Sequence, residues 1–481
     1  MNPRSVAYLL SALLAICAAA MLAPLVVALL YGERHSALSL LGAAALTAGI
    51  AAGCRLFARA APTSVRRREA VATVAVGWIA ISLVGGLPYL FEGAVSSPAA
   101  ALFESASGFT TTGATILTDV EQLSHGLLLW RSLTHWLGGM GIIVLFVAVF
   151  PLLGVGARRL YASEVPGPVA TGLRPTIRET SSVLWRIYVG LTLVETVALL
   201  LCGLDLFDAA NHAMATMATG GFSTKNASVG HYQSAAVEWV IILFMLSAGV
   251  NFALYFSALR GRLDPLRRNY ELKAYLGITA LAAALIFVDI LGRHGSLHDT
   301  LRAALFQTVA ITTTTGFGTD NFDTYPALSK VILVALMFVG GSAGSTSGGM
   351  KVSRILVVWK AAWTEVTRTF QPQRVVRVHL GASVIPEEIV RGILAFFGLF
   401  VMLWVLGTGV MAALGLDLIS ATTVVAATLG NIGPGLGRVG AIENYAFIPE
   451  LGKVFLSVLM ILGRLELTTM LALLTAAFWR R

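Results

Sequence analysis

Charge is scarce in this sequence. Only 12% of its 481 residues are Asp, Glu, Lys or Arg, against about 25% in soluble domains. Too few water-facing side chains remain for a soluble protein of this length. Cysteine is scarce as well: Cys17, Cys54 and Cys202 sit in apolar stretches without metal-like spacing and read as buried free thiols. The sequence has no His-Glu-x-x-His, phosphate loop or pair of membrane aspartates. A membrane enzyme therefore has no chemistry to use.

Apolar residues are abundant at 57%, and they come in blocks long enough for the ~20 helical residues that cross a bilayer. One soluble core would scatter them in amphipathic stripes instead. The first block, Val6–Leu30, follows Arg4. It exceeds the roughly 7–15 residues of a signal core, so it reads as a retained helix, as does Leu38–Phe57. Eight further blocks follow, near Ala70–Leu90, Leu127–Leu153, Val183–Leu204, Val237–Leu259, Leu272–Leu291, Leu328–Trp359, Ile389–Leu414 and Leu451–Phe478. The expected fold is an all-α polytopic membrane protein of ten spans.

Arginine orients the spans. Arg55, Arg59 and Arg66 to Arg68 lie between the second and third blocks, and Arg158, Arg159, Arg174 and Arg178 follow the fourth. Arg260, Arg262, Arg267 and Arg268 follow the sixth, Arg368, Arg374 and Arg377 the eighth, and Arg480 and Arg481 end the chain. The alternate connections carry Asp119, Glu121, Asp320 and Asp323. The positive-inside rule puts both termini and every basic loop in the cytoplasm. The net charge of +9 is thus a topology signal; a nucleic-acid surface would not alternate with the spans.

Each of the last four helix pairs encloses a shorter semi-polar segment that ends in small and hydroxyl residues around a glycine. The glycines, Gly113, Gly220, Gly316 and Gly433, recur about every hundred residues, an internal repeat of architectural weight. The chain divides into a two-helix segment (1–62) and four repeats (63–160, 161–265, 266–380 and 381–481). Aligned on the glycines, the candidate strands are Thr111-Thr112-Gly113, Ala218-Thr219-Gly220, Thr314-Thr315-Gly316 and Asn431-Ile432-Gly433. Nine positions earlier stand Glu104, Asn211, Gln307 and Val424. The three polar ones are expected to hydrogen-bond the strand from behind the short helix.

Non-helical backbone at membrane depth survives only where protein buries it or water lines it. Glycine can turn its carbonyl toward an axis at dihedrals other residues avoid. Four such strands stack rings of oxygens that replace a cation's hydration shell, and the short helices aim their negative C-terminal ends at the centre.

The eighth block contains Gly340, Gly341, Ser342, Gly344, Ser345, Thr346, Ser347, Gly348 and Gly349. Five glycines, each costing ~1 kcal/mol in a helix interior, predict two half-spans joined by a loop. A kink without a gating role stays open. In the last block Arg464 needs a cavity or a partner, for which the loop's carbonyls and hydroxyls are candidates; snorkelling to the interface is the alternative. Glu466 is two residues along and does not share its face. His135, His212 and Asp289, also in or beside apolar blocks, read as packing or interfacial groups.

The segments Thr-Thr-Thr-Gly113-Ala-Thr, Ala-Thr-Gly220-Gly-Phe-Ser-Thr, Thr-Thr-Gly316-Phe-Gly-Thr-Asp-Asn-Phe and Gly-Asn-Ile-Gly433-Pro-Gly resemble the Trk-type membrane subunit of the Trk/Ktr/HKT potassium transporter superfamily. So do His135-Trp-Leu-Gly-Gly-Met-Gly-Ile and Gly340-Gly-Ser-Ala-Gly-Ser-Thr-Ser-Gly-Gly-Met-Lys351, and the likeness covers nearly the whole chain. It implies a four-unit pore for potassium at the strand residues above and an intramembrane gate loop at 340–350 with Arg464. It also implies a homodimer, a cytosolic ring of nucleotide-binding regulatory subunits, and a multi-pass place in the bacterial inner membrane without an organic cofactor. In plant relatives a serine at the first strand accompanies sodium transport; Gly113 favours potassium. Coupling of potassium to protons or sodium is the competing mechanism.

Overall fold

A computed structural model describes residues 2–59, 67–148, 177–371, 377–381, 383–465, 467–473 and 475–479. Arg66, Arg158, Arg159, Arg174, Arg374, Glu466, Arg480 and Arg481 lie outside them, as do the boundaries at 62 and 160.

The described chain is mainly helical. An N-terminal pair comprises α1 (Pro3–Ala20) running into α2 (Leu22–Leu30), and α3 (Arg34–Phe57). The first repeat has α4 (Arg67–Gly85), α5 (Leu87–Glu92), the short α6 (Pro98–Phe109) and α7 (His125–Ala148). The second has α8 (Ile177–Leu201), the short α9 (Leu206–Met217), α10 (Ala235–Ala248) and α11 (Phe252–Leu259). After the surface helix α12 (Asp264–Arg268) come α13 (Tyr270–Asp289), the short α14 (Leu297–Thr312), α15 (Ala327–Leu336) and α16 (Val352–Phe370). The fourth repeat has α17 (Glu387–Ala413), the short α18 (Leu418–Gly430), α19 (Glu450–Arg464), α20 (Leu467–Leu473) and α21 (Ala476–Trp479). One departure from an all-helical chain is a hairpin of β1 (His379–Leu380) and β2 (Ser383–Val384), paired antiparallel.

Among the described residues six helices are long and apolar enough to cross a membrane, and the bent pair α10–α11 makes a seventh. Their outer faces expose Leu193, Val194, Val197, Leu281, Val288, Val405 and Leu406. Lipid tails are as apolar as leucine, so a bilayer accepts such faces where water would not.

The polar residues are inside. The short helices bury Ser105, Ser107, Thr216, Thr308, Thr312 and Thr428, and many of these hydroxyls donate to the carbonyl four residues back, as Thr308 does to Ala304 and Thr428 to Val424. Each short helix packs on its neighbouring spans. In addition α6 packs on α19, α9 on α7 and α14 on α10, each the closing span of the preceding repeat. The cycle closes where a Cβ on Gly430, at the end of α18, would lie 2.9 Å from Met337 O. The N-terminal pair stays outside this cycle, with α1 on α4 and α2 on α7.

Three blocks read as single spans are interrupted. Leu328–Trp359 divides into α15 and α16 around the glycine-rich loop, as its composition predicts. Val237–Leu259 instead breaks unexpectedly between α10 and α11, bending by 96°. Asn251 caps α11 by accepting from Ala253 N at 2.9 Å, and the opened turn receives the loop: Ser342 N donates to Gly249 O and Phe252 N to Gly344 O. Leu451–Phe478 ends its first helix at Arg464.

Candidate functional site

Each short helix begins with an oxygen that holds its first turn. Ser97 accepts from Ala100 N, Asp205 from Phe207 N and Asp208 N, Ser296 from Asp299 N, and Asp417 from Ser420 N. Such caps are worth about 1 kcal/mol each. The far ends share one geometry. Thr111 N donates to Gly108 O, Thr219 N to Thr216 O, Thr314 N to Ile311 O and Asn431 N to Thr428 O. These four residues are left-handed, with φ of 54, 54, 60 and 54°. Left-handed dihedrals cost a non-glycine residue ~1–3 kcal/mol and persist only where the surroundings enforce them.

Two residues further on, Gly113, Gly221, Gly316 and Gly433 are left-handed too, with φ of 80, 81, 76 and 97°. In the second repeat the equivalent residues are therefore Thr219, Gly220 and Gly221, one later than the sequence alignment puts them. Ala218 caps α9 instead. The Gly220-Gly221 pair offered two candidate glycines, and only the backbone distinguishes them.

These four glycines close a ring. A Cβ on Gly113 would overlap Gly220 O, one on Gly221 would overlap Thr315 O, and one on Gly316 would overlap Ile432 O. A Cβ on Gly433 would lie 2.7 Å from Thr112 O. Each repeat thus presses its glycine on the carbonyl of the next, and the fourth on the first. In each strand two left-handed residues thus flank one that is not. Beyond the ring the four glycines line a common cavity of about 130 Å³. The site offers neutral oxygens and helix C-termini, and among the described residues no His, Cys, Asp and Glu cluster could hold a metal ion.

Behind the strands the polar residues of the short helices hold the chain as it leaves. Glu104 accepts from Ile116 N at 3.0 Å and Thr115 Oγ1 at 2.9 Å. Gln307, with its carboxamide oxygen facing the strand, accepts from Thr319 N and Asp320 N. In the second repeat His212 does this through Ser223 Oγ, 2.9 Å away, while Asn211 donates to Phe207 O in its own helix; the one-residue shift accounts for the exchange. Val424 has no polar atom, and Thr423 bonds Leu436 instead. Tyr445 donates to Gly433 O at 2.5 Å.

Arg131 on α7 escapes sequence reasoning. It is buried and pairs with Glu104 at 3.1 Å, donates to Ser223 O at 3.0 Å and stacks over Phe222. It ties the first strand to the second. An arginine inside an apolar block was the available signal. His135 bonds Gly108 O at 2.7 Å and stacks on Phe222. Asp289 accepts from Ser329 N and Oγ at 2.9 and 2.6 Å. Both make packing contacts.

On the side of the helix C-termini lies the loop 337–351. Gly340 N donates to Met350 O at 2.6 Å, beside a parallel bridge from Val339 to Met350. Thr346 Oγ1 donates to Met217 O and Ala248 O, and Ala343 N donates to Glu271. Gly348 N donates to Thr314 Oγ1 at 2.7 Å, so the loop touches the third strand itself. A Cβ on Gly348 would lie 2.6 Å from Gly430 O and 2.8 Å from Asn431 Cβ. Arg464 is buried and its Nη1 donates to Thr346 O at 2.7 Å. Gly341, Ser342, Gly344, Ser345, Ser347 and Gly349 complete the loop, and Lys351 Nζ reaches back to Ser347 O and Gly348 O.

The TrkH family model, described as cation transport protein, matches residues 43–281 and 293–480. The Trk system potassium uptake protein TrkH of Halomonas elongata is 39% identical over all of both chains. That of Escherichia coli is 40% identical over 421 residues, 86% of this chain and 87% of the relative. The crystal structure of the potassium transporter TrkH from Vibrio parahaemolyticus matches with a TM-score of 0.92 at 36% identity, covering 100% of each chain.

Proposed function

Because this chain belongs to the TrkH family of cation transport proteins, we propose that it takes up potassium through a gated, channel-like ring of four strands. The observation that carries this reading is the closed cycle of glycines, each against the carbonyl of the next repeat. A potassium ion entering from the cavity exchanges water for the carbonyls of Thr111, Thr112 and Gly113, of Thr219, Gly220 and Gly221 (with Ala218 at the entrance from the helix), of Thr314, Thr315 and Gly316, and of Asn431, Ile432 and Gly433. The C-termini of α6, α9, α14 and α18 add a favourable potential for a cation. Only Gly316-Phe-Gly318 and Gly433-Pro-Gly435 supply a second glycine. Fewer equivalent rings mean weaker discrimination against rubidium and sodium than in a tetrameric channel.

The loop Gly340–Gly349 and Arg464 form the gate under the ring. Their hydrogen bonds to Thr314 and Thr346 hold it across the path. In this reading the chain crosses the inner membrane ten times: α1–α2, α3, α4–α5, α7, α8, α10–α11, α13, α15–α16 with the loop between them, α17, and α19–α20. Both termini face the cytoplasm, two copies pair, and a cytosolic nucleotide-binding ring acts on the gate. Coupling to protons or sodium is the second reading. It wants a titratable group on the path, whereas Glu104 and His212 are engaged behind the strands.

Purified protein in liposomes with an entrapped potassium indicator tests the proposal. An inward potassium gradient should drive influx well above that of a sodium gradient of equal size. Equal rates for the two ions, or none for either, would reject it.

A further inference from the structure

The cavity beyond the ring is lined by the four ring glycines and three charged side chains, Arg131, Lys225 and Glu443. Two of the three are cationic, an unfavourable sign at the entrance of a cation path. The charge of Arg131 is spent, because it is buried against Glu104. Lys225 is different. Its side chain is 27% exposed and its Nζ lies 3.1 Å from Asp208 Oδ2. Lys225 is among the residues lining the cavity and Asp208 is not, so the ion pair sits beside the mouth.

Both partners are held in place. Asp208 accepts from Thr224 Oγ1 at 2.6 Å and from Tyr232 at 2.8 Å. The turn carrying Lys225 is pinned by Lys225 N on Ser223 Oγ, Asn226 N on Glu121 and Asn226 Nδ2 on Asp119. The Asn226 amide is the first of the groups that keep the Asp119 carboxyl below its ordinary range, so this anchor stays ionised near neutral pH.

We propose that Lys225 is a tethered cation at the mouth of the ring: it occupies Asp208 and limits how many external monovalent cations gather above the strands. The inference rests on the transport reading above and names a residue that sets its rate at low potassium. A charge in a concave, poorly solvated mouth changes the local ion concentration. Removing the ammonium leaves a bare carboxylate and should raise influx roughly two- to tenfold at low salt. Salt erases such an effect, because the Debye length falls from about 30 Å at 0.01 M to about 3 Å at 1 M.

The test is potassium influx into liposomes at low external potassium, with ionic strength set by an impermeant organic cation at about 0.01 M or about 1 M. The low-salt to high-salt ratio is taken within one preparation, so unequal insertion cancels. It should rank Lys225→Glu above Lys225→Gln above wild type, with Asp208→Asn below wild type. If Lys225→Glu fails to fold, the opposite shifts of Lys225→Gln and Asp208→Asn test the same sign. A ratio that is the same for all, or that shifts one way for both partners, overturns the proposal. Absence of potassium influx in the wild type would overturn the transport reading instead.

Discussion

The ring strands are wedged by backbone, each glycine against the carbonyl of the next repeat. The loop Gly340–Gly349 also approaches backbone, at Gly249 and Gly430, but side-chain hydrogen bonds add to its hold: the Thr346 hydroxyl shared by Met217 O and Ala248 O, and bonds with Glu271, Thr314 and Arg464. Polar atoms beside it, Ser342 Oγ, Ser347 Oγ and Arg464 Nε and Nη2, are buried with no partner among the described residues. A ring that cannot move without displacing backbone suits selection. A loop held by bonds worth about 0.5–1.5 kcal/mol each, and about 1.5–3 for the arginine, suits opening. The two regions meet where Gly348 donates to Thr314.

Breaking the ring should have the largest effect. Gly316→Ala puts a Cβ onto Ile432 O at a left-handed residue, and Gly113→Ser does the same to Gly220 O. Bi-ionic reversal potentials should show the potassium-to-sodium permeability ratio falling about tenfold or more, since overpacking costs ~1–3 kcal/mol. An unchanged ratio in a folded variant would mean that these strands do not line the path.

Breaking the loop should leave that ratio alone and change only the rate. Arg464→Ala, or a shortened Gly340–Gly349, is expected to raise potassium flux roughly ten- to hundredfold through loss of a charged hydrogen bond. The two changes together should give less than their summed effect on the opening free energy, as contacting groups are coupled. If both singles left flux unchanged while folding normally, the loop would be no gate.

Thr314→Val cuts the bond between the two regions and should raise flux about fivefold, corresponding to ~1 kcal/mol. A fall in selectivity larger than the rise in flux would place Thr314 wholly in the ring. Smallest is Tyr445→Phe, which removes the donor to Gly433 O. It should lower the permeability ratio by no more than a few-fold without touching the rate of the gate; a higher leak would contradict the separation.

The four short segments were legible because each ends in small and hydroxyl residues around a glycine. The register of the second strand was not, since Gly220 and Gly221 are chemically identical and only their φ separates them. With that register went the exchange of Asn211 for His212. The break before Asn251 was hidden because one glycine and one asparagine are weak punctuation in an apolar block, and its cause is the loop that docks there from 90 residues away. Glu104 and Arg131 lie in different elements, 27 residues apart, so their pairing is a product of tertiary packing. Arg464 was read from the same kind of signal that Arg131 also offered.

In the proposed function potassium runs down its own gradient through the ring. The direct measurement is the reversal potential of the reconstituted protein across a potassium gradient, repeated with pH and sodium gradients superimposed. A channel-like path gives a potential that follows the potassium gradient whatever the proton gradient, with sodium shifting it only by its small relative permeability. A reversal potential that moves with the proton gradient would contradict it and favour coupled transport.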